Sequence, residues 1–410
     1  MLVGIIGGGA AGMMCAVTIN ELNPNVEVVL IEKNDTLGKK VIISGGGRCN
    51  VTTGIHDSKI LLKKYPRGEK FLISIMNRFS PHDTYEWFEN HGVPLKCENN
   101  WRVFPKSDKG SDIIAAFNKI FARHNTKVLF NHAVTSVNRK ENGFEIQFKD
   151  MPSEIVDRVV LAAGGQAFRK TGSTGDGYAI AESLGHNITR LAPSLHSFIT
   201  NEKWAKKMSG LSFENAVITV KAKKTYSEAG SFIFTHWGIS GPAVFAISSL
   251  IAFEEFSANK PLNIYIDLFP ELKSSELEAE IKKRFSINAK KTLKNSIGNL
   301  IPIKLIDVVG EELKISETKK CAEMSKKEIA AIVEWLKHIP LSIVGRGVGD
   351  EFVTAGGVDL AEVNSKTMES KLCTGLYFAG EVLNIDGFTG GFNLQAAWAT
   401  GFVAGESIAK

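Results

Sequence analysis

The chain has 410 residues, 44% of them hydrophobic, which is enough for two domains with separate cores. Its net charge of +5 is small and argues only weakly for an acidic partner. Five scattered cysteines without a C-x-x-C pair argue against a disulfide framework or a zinc site, and no metal is expected. The apolar run at residues 242–253 is too short to cross a bilayer, so we expect a soluble cytoplasmic protein without a membrane partner.

A glycine-rich turn follows the first predicted strand, residues 2–6. Its glycines, Gly7, Gly9 and Gly12, have the spacing G-x-G-x-x-G. Gly7 permits a tight turn, Gly9 lets a pyrophosphate approach the backbone, and Gly12 allows the next helix to pack closely on the strand. That helix, predicted at residues 13–22, offers free N–H groups and a positive dipole end to the phosphates.

An acidic residue closes this unit. A second apolar strand, residues 26–31, ends on Glu32, twenty positions after Gly12. The carboxylate can accept hydrogen bonds from both ribose hydroxyls and would repel a 2′-phosphate, so the unit fits FAD or NAD but not NADP. The alternative is a glycine-rich turn without a ligand, which would not require the complete strand–helix–strand unit seen here.

The second glycine loop combines small residues with fixed donors. Residues 44–50 read S-G-G-G-R-C-N and follow two lysines and a short apolar run. The glycines let backbone lie against a flat or charged ligand, the lysines can face a pyrophosphate, and the arginine and asparagine supply donors. A free loop is the alternative. The residues expected to contact a ligand here are Gly38, Lys39, Lys40, Gly46, Arg48 and Asn50.

From residue 71 to residue 190 helices alternate with short strands. Helices are predicted at residues 71–91 in two pieces, 111–124 and 178–184, and strands at 126–130, 133–139, 144–148 and 158–163. The first three of these strands are interpreted as an antiparallel meander, in which Val134 returns to the adenine side of the sheet. The fourth ends on Gly164. Asp176, before the last helix, is either a helix cap or a ligand-binding residue.

Residues 191–345 lack nucleotide-type glycine loops and are predicted to form a β-rich inserted domain with a helical cap. Strands are predicted at 216–221, 231–235 and 262–267, and helices at 274–286, 301–313 and 325–337. Lysines crowd two stretches of this segment, and solvated faces are favoured over a nucleic-acid surface, so nucleic acid is not expected as a partner. His236 is either a proton donor at the mouth of a site or a hydrogen-bonded structural histidine.

The C-terminal segment returns to nucleotide-site character. A strand at residues 375–381 ends on Gly380 and Glu381, and a glycine turn opens the last helix at residues 391–393. The N-terminus of that helix suits the N1–C2=O edge of a flavin, which becomes negative on reduction. Gly345–Gly349 has no strand–helix frame, so no nicotinamide site is predicted there. One dinucleotide held by both ends of the chain describes FAD better than NAD.

The runs at residues 44–50, 234–242 and 379–395 resemble the bacterial BaiN/YhiN-like flavoproteins, a family of NAD(P)/FAD-dependent oxidoreductases. The resemblance extends over nearly the whole chain. It implies an α/β fold with a glutathione-reductase-like FAD-binding Rossmann domain built from residues 1–190 and 346–410. It also implies that residues 191–345 form an inserted β-barrel-type domain with a helical cap over the isoalloxazine.

The resemblance also implies a set of FAD contacts. These fall on Gly9, Ala11, Gly12, Glu32, Lys33, Lys39, Gly46, Arg48, Asn50, Val134, Gly164, Glu381, Asn393 and Leu394. The glycine turns themselves add Gly7, Gly38, Lys40, Gly380 and Gly391. His236 and Arg48 are the candidate catalytic residues, and Cys49 has no partner at C-x-x-x-x-C spacing, which removes dithiol chemistry.

Three functions remain open from the sequence. The first is reduction of an activated C=C bond in a small organic substrate, by hydride transfer at flavin N5 with NAD(P)H as a transient electron donor. The second is oxidation of an amine or aminoketone with oxygen as the acceptor. The third is a flavin-bearing protein that associates with RNA through the basic insert.

Overall fold

The computed structural model describes residues 1–347, 349 and 351–410, which form two compact units. The first unit comprises residues 1–194 and 350–410, and the second comprises residues 195–349. The domain boundaries expected from the sequence, after residues 190 and 345, stay a prediction. The glycine run 345–349 includes Val348, which lies outside the described residues.

The strands and helices of the described residues follow one another along both units. In chain order the strands are β1 Leu2–Ile6, β2 Glu27–Ile31, β3 Thr52–Thr53, β4 Leu95–Cys97, β5 Arg102–Pro105, β6 Lys127–Leu129, β7 Val134–Lys140, β8 Gly143–Phe148, β9 Glu154–Val156, β10 Arg158–Leu161, β11 Ala192–Ser194, β12 Phe198–Thr200, β13 Ser212–Lys221, β14 Thr225–Phe234, β15 Gly238–Ser240, β16 Leu262–Asp267, β17 Ile339–Arg346, β18 Val353–Ala355 and β19 Leu376–Phe378. The helices are α1 Ala10–Leu22, α2 Lys39–Ile43, α3 Ser58–Leu62, α4 Glu69–Met76, α5 Pro81–Asn90, α6 Ser111–His124, α7 Asp176–Ser183, α8 Lys203–Lys207, α9 Pro242–Leu250, α10 Ser274–Ile287, α11 Leu293–Ile297, α12 Ile303–Glu312, α13 Lys326–Lys337 and α14 Phe392–Ala409.

A parallel sheet with the strand order β19-β10-β1-β2-β6 forms the centre of the first unit. β1 lies in the middle and its Val3 and Ile5 are fully buried, which explains its continuous apolar run. Because the strands are parallel, the loops that follow β1, β2, β10 and β19 leave the sheet at the same edge. The glycine turns and the acid predicted from the sequence stand in these loops, which is where open α/β sheets bind their ligands.

The strand predicted at residues 126–130 does not belong to the meander. It is β6, and it pairs parallel with β2, with Leu30 opposite Val128. The antiparallel meander is instead β7, β8 and β9. An edge strand covered on one face alternates apolar and polar residues just as a meander strand does, so the periodicity could not separate the two cases.

The first and last helices pack against each other in this unit, and glycines permit the close approach. A Cβ atom at Gly401 would lie 2.3 Å from the carbonyl oxygen of Ala11, and one at Gly405 would lie 2.7 Å from that of Cys15. The expectation that both ends of the chain build one Rossmann-type domain is therefore confirmed.

The second unit is a closed barrel with the strand order β12-β15-β14-β13-β16-β17. Its interior contains Phe232, Phe234 and Ile264, and helices α10 and α13 add Ile281 and Ile332 to the same hydrophobic core. The predicted β-barrel type with a helical cap is confirmed. Among the described helices, none combines the length and the apolar character that a bilayer span requires.

Candidate functional site

The turn after β1 leaves its backbone accessible at one position and crowded at the others. Gly7 has φ +110°, and its N–H donates to the carbonyl oxygen of Ile31 at 2.8 Å. A Cβ atom at Gly12 would lie 1.9 Å from the Gly7 oxygen, so no larger residue fits there. Around Gly9, in contrast, no heavy atom lies within 4 Å of the position that a Cβ would take. Gly9 therefore borders open space at the sheet edge.

Helix α1 presents free amides beside this opening. Its first helical hydrogen bond runs from the N–H of Met13 to the Gly9 oxygen at 3.0 Å. The N–H groups of Ala10, Ala11 and Gly12 therefore have no acceptor within the helix, because no helical turn precedes them. Together with the positive end of the helix dipole, they form a binding site for a phosphate or another anion.

Glu32 is buried and holds the turn itself. One carboxylate oxygen accepts from the Gly8 N–H at 2.8 Å, and the other accepts from the backbone and side-chain nitrogens of Asn34 at 2.8 and 2.6 Å. A carboxylate has about four acceptor positions, so Glu32 can accept a further hydrogen bond from a ribose hydroxyl. Asn34 also donates to the oxygen of Thr171 at 3.1 Å and so connects β2 to the loop before α7.

Lys33 also binds the loop before α7. Its ammonium donates to Asp176 at 2.6 Å and to Thr174 at 2.5 Å. Burial raises the pKa of Asp176, but the hydrogen bonds from Lys33 and Thr174 outweigh it and lower that pKa below its usual value. Asp176 thus acts as an ion-pair partner that ties the loop before α7 to the end of β2, where the sequence left a cap or a ligand-binding role open.

Val134, the first residue of β7, and Gly164, in the loop after β10, lie near the same sheet edge. The oxygen of Glu32 accepts from the N–H of His132 at 3.0 Å, and β7 begins two residues later at Val134. Gly164 follows β10 with φ +74°, and a Cβ there would meet the hydroxyl of Ser173 at 3.3 Å. Both predicted contact residues are therefore close in the fold to the elements that carry Glu32 and Lys33.

The loop at residues 44–50 is anchored through its arginine. The guanidinium of Arg48 lies 2.8 Å from Glu98 and 3.4 Å from Asp108, and 3.8 Å from the centre of the Phe104 ring. Asn50 accepts from the N–H of Val103 at 3.3 Å. The loop is therefore held on the small sheet of β3, β4 and β5, and the alternative of a free loop does not describe it.

The glycines of this loop take conformations that other residues rarely adopt. Gly45, Gly46 and Gly47 have φ of +58°, +73° and +88°, and Gly46 has open space where a Cβ would be. Upstream, Gly38 has φ +64° and its N–H donates to the Gly8 oxygen at 2.9 Å. The loop is thus joined to the first glycine turn.

Cys49 does not provide a reactive thiolate. The side chain is fully buried, and burial raises the pKa of its thiol to about 12, although a hydrogen bond from Ser44 acts in the opposite direction. A thiol that stays protonated near neutral pH is a poor nucleophile.

The two adjacent lysines have different partners. Lys40 lies 2.8 Å from Glu381, whose other oxygen accepts from the N–H of Thr354 at 3.0 Å. Lys39 pairs with Asp35 at 2.8 Å on the surface. The Lys40–Glu381 ion pair joins two motifs that are 341 positions apart in the sequence.

The first turn of α14 is fixed from several sides. Gly391 has φ +91°, and a Cβ there would lie 2.2 Å from the oxygen of Thr52. The side chain of Asn393 donates to the oxygen of Gly387 and accepts from its N–H, both at 2.8 Å. Leu394 is half-buried in the same turn. The N-terminus of α14 is therefore held against the segment that follows the 44–50 loop.

Gly380 brings the C-terminal strand close to the first helix. It has φ +78°, and a Cβ there would lie 2.8 Å from the Cβ of Ala11. The predicted contact residues all belong to the first unit, in or next to the loops that follow its parallel strands, in the 44–50 loop and at the start of α14. His236 belongs to the second unit, where it is exposed in the turn between β14 and β15 and has no side-chain hydrogen bond to the described residues.

Several residues of this region were not found from the sequence. Asp386 is fully buried, forms an ion pair with Arg67 and accepts from the hydroxyl of Ser194 at 2.7 Å. Thr354 binds Glu381, and Tyr178 lies beside both. The sequence signals for these residues were the T-A-G-G run at residues 354–357 and the I-D-G run at residues 385–387. Neither run indicates its partners, which are far away in the chain.

The residues present fit a dinucleotide. The opening at Gly9, the free amides of α1 and the buried acid at the end of β2 are the parts that a nucleotide-binding Rossmann unit needs. A second helix N-terminus, at Gly391, lies against Thr52, just after the 44–50 loop. Fold and site thus define a protein of the dinucleotide-binding Rossmann class.

The chain belongs to the HI0933-like protein Rossmann domain family, whose model matches residues 1–407. A 3-dehydro-bile acid delta(4,6)-reductase of Clostridium scindens is 30% identical, with 100% of this chain and 99% of that protein covered. A ribosomal RNA dihydrouridine synthase of Haemophilus influenzae is also 30% identical, with 99% and 98% covered.

A solved structure supports the fold. The open conformation of a flavocytochrome c3 fumarate reductase matches with a TM-score of 0.52 and 16% identity, over 100% of this chain and 78% of that one. The family and the fold confirm the resemblance found in the sequence, and the protein is an FAD-dependent oxidoreductase. The electron donor and the residue contacts of the flavin remain predictions.

Proposed function

We propose that the protein reduces an activated C=C bond of a small organic substrate, with NAD(P)H as the source of the hydride. The name of the Clostridium scindens relative describes a reductase that acts on double bonds of a 3-dehydro-bile acid, and this supports the reaction type. Bound FAD supplies hydride acceptance and delivery at its N5 atom. The Lys40–Glu381 ion pair carries the proposal, because it joins the phosphate-binding end of the site to the C-terminal strand that precedes the α14 glycine turn.

The chain's own residues then have distinct tasks. The amides of α1 beside Gly9 would bind the pyrophosphate, and Glu32 would accept from the ribose of the adenosine. The amides at the start of α14, after Gly391, would stabilise negative charge that the flavin gains on reduction. The turns that carry these groups are held by the hydrogen bonds described above.

Reduction of a C=C bond also requires a proton. We propose His236, the catalytic candidate from the sequence, as the donor, because its imidazole is exposed and makes no side-chain hydrogen bond to the described residues. Water is the alternative donor. For Arg48, the contacts with Glu98 and Phe104 favour a role in orienting the 44–50 loop over direct contact with substrate.

An anaerobic titration tests this function. We expect NADH or NADPH to bleach the flavin absorbance of the purified protein, and a conjugated enone then to restore it without oxygen. A saturated ketone of the same skeleton, which lacks the double bond, should leave the flavin bleached. Bleaching by a small amine but by neither nicotinamide would contradict the proposal and support the amine or aminoketone oxidase.

A second candidate is the reduction of a uridine base in RNA, which is also the addition of hydrogen across a conjugated double bond. The Haemophilus influenzae relative supports it by name. The charge distribution supports it as well, since residues 195–349 contain 22 Lys and Arg against 17 Asp and Glu. This unit therefore has a net charge of +5, equal to that of the whole chain, and the rest of the chain is neutral.

The β13–β14 hairpin is the proposed contact for RNA phosphates. Lys221, Lys223 and Lys224 are exposed at its tip, and none forms an ion pair with the described residues. The ammonium of Lys221 lies 5.4 Å from the ring centre of Tyr265 on the neighbouring strand β16. Tyr265 is partly exposed, and cations next to an accessible aromatic ring are a common combination in proteins that bind single-stranded nucleic acid.

Charge reversal at the hairpin separates the two candidates. We expect Lys223→Glu with Lys224→Glu to weaken RNA binding and to lower the slope of log affinity against log salt by about one unit per lost phosphate contact. Lys290→Glu with Lys291→Glu, at an exposed site in the helical part of the same unit, serves as the control for net charge. Equal loss in both variants, or no RNA binding by the wild type, would leave only the small-molecule substrate.

A further inference from the structure

The hydroxyl of Tyr178 is buried without a partner. Tyr178 lies in the first turn of α7 and only 5% of the residue is exposed. Its oxygen makes no hydrogen bond to the residues that the structure describes. Nearly all buried polar groups of proteins have a partner, because leaving one unpaired costs the free energy of its lost hydration. A bound ligand with an acceptor atom at this point would supply the missing partner.

The polar groups around this hydroxyl are already engaged with one another. The hydroxyl of Thr354 accepts from the N–H of Gln166 at 2.9 Å, and the N–H of Thr354 donates to Glu381 at 3.0 Å. The other oxygen of Glu381 is bound by Lys40. A Cβ atom at Gly165 would lie 2.6 Å from the Thr354 hydroxyl, so the backbone is in close contact with this cluster. Tyr178 is the member that lacks a bond.

The phenol is a donor under all ordinary conditions. Burial raises the pKa of Tyr178 above its usual range, and the negative charge of Glu381 raises it further, while the Thr354 hydroxyl, which lies close to the phenol but outside normal hydrogen-bond geometry, lowers it in part. The proton therefore stays on the oxygen and is available for an acceptor.

We infer that Tyr178 is a further cofactor-binding residue, whose O–H donates a hydrogen bond to an acceptor atom of bound FAD. The inference rests on the cofactor site of the proposed function, because the neighbours of Tyr178 include Glu381, which in turn binds Lys40. Both are predicted FAD contacts, and Gly164, a third, immediately precedes Gly165. Tyr178 is not part of the glycine turns or of the family motifs identified in the sequence.

Two tyrosine variants test this assignment. Tyr178→Phe removes the unpaired hydroxyl, so the apoprotein should melt at the same temperature as the wild type or higher. FAD affinity, measured by refilling the apoprotein, should fall about three- to tenfold, the usual effect of one lost hydrogen bond. Tyr65→Phe is the matched control, because Tyr65 is equally buried but donates to the oxygen of Phe392 at 2.8 Å. That variant should lower the melting temperature of the apoprotein.

Each result supports or overturns the inference. A lower melting temperature of Tyr178→Phe apoprotein, similar to that of Tyr65→Phe, would mean that the partner is a protein group or a buried water. An unchanged FAD affinity would also overturn it. Should the apoprotein aggregate, the rate of FAD release from the holoprotein replaces the refilling assay, with about three- to tenfold faster release expected for Tyr178→Phe. These readouts do not depend on the substrate or the electron donor, so the C=C reductase proposal can fail while this one holds.

Discussion

At the scale of single residues, two neighbouring lysines of one motif have unequal importance. Lys40 and Glu381 are both more than two-thirds buried at the side chain, whereas the side chains of Lys39 and Asp35 are 36% and 68% exposed. A charge that loses its partner in a partly buried site keeps its dehydration cost, but an exposed charge regains water. The two ion pairs should therefore respond differently to the same substitution.

We expect Lys40→Met to lower the free energy of unfolding of the apoprotein by about 1 kcal/mol, a value between those of exposed and buried pairs. Adding Glu381→Gln to this variant should recover part of the loss, because the unpaired carboxylate is removed. Urea denaturation of the two single variants and the double variant measures the coupling. Lys39→Met is the control and should have little effect, and equal losses for both lysines would contradict the argument.

Residue types could be predicted from the sequence, but their partners could not. The spacing from Gly12 predicted Glu32 as the acid on the adenosine side of the site, at the end of the second strand. In the structure Glu32 directly follows β2, as predicted. That Glu32 also holds the Gly8 and Asn34 nitrogens depends on a turn geometry that spacing does not encode. For Arg48 the partners Glu98 and Asp108 are 50 and 60 positions away, and no local pattern indicates them.

At the scale of elements, helix α14 depends on one glycine. The backbone of Gly391 is left-handed, and the carbonyl oxygen of Thr52 occupies the place where a side chain of residue 391 would begin. A substitution must therefore distort the turn or push α14 away from β3. Gly185, at the end of α7, has the same φ of +91° but open space around it.

This pair of glycines separates backbone strain from close contact. Gly185→Ala should cost about 1–2 kcal/mol of unfolding free energy, the strain of an alanine in the left-handed region. Gly391→Ala should cost about 1–3 kcal/mol more because of the added overpacking, and it should also weaken FAD retention. Chemical denaturation and the flavin-to-protein absorbance ratio measure both effects. If the two variants are equally stable and equally yellow, Gly391 is needed for its backbone conformation only.

Elements with their own end signals were predicted well. Helix α6 begins and ends at the predicted residues. In α5, Ser80 is the N-cap and forms a capping box with Asp83, and a proline occupies the first helical position between them. β6 was assigned to the wrong sheet because its register with β2 depends on tertiary pairing, which a period of two residues does not specify.

At the scale of the whole molecule, the insert joins the first unit through two adjacent strands. β11 runs into the second unit and β18 returns from it, and they pair antiparallel with Ser194 opposite Val353. Inside the second unit, β12 and β17 likewise pair, with Phe198 opposite Arg346. In each unit, the two strands next to the chain connections therefore pair with each other.

We expect residues 195–349 to fold when produced alone, because the barrel is closed and has its own hydrophobic core. The product should show cooperative thermal unfolding by circular dichroism and dispersed amide resonances by NMR, and it should be colourless when FAD is added. A matching deletion variant that joins Ser194 to Val353 by a short turn should retain FAD but lose turnover. An unfolded insert would show that its core depends on the first unit.

The pairing of α1 with α14 also has a consequence for biosynthesis. A ribosome that has completed β1, the first glycine turn and α1 has made a phosphate-binding segment whose packing partner, around Gly401 and Gly405, does not yet exist. Flavin capture must therefore wait until α14 has left the exit tunnel, whereas the barrel between them can already be folded. Messages truncated before α14 should yield products that contain a folded insert and no pigment.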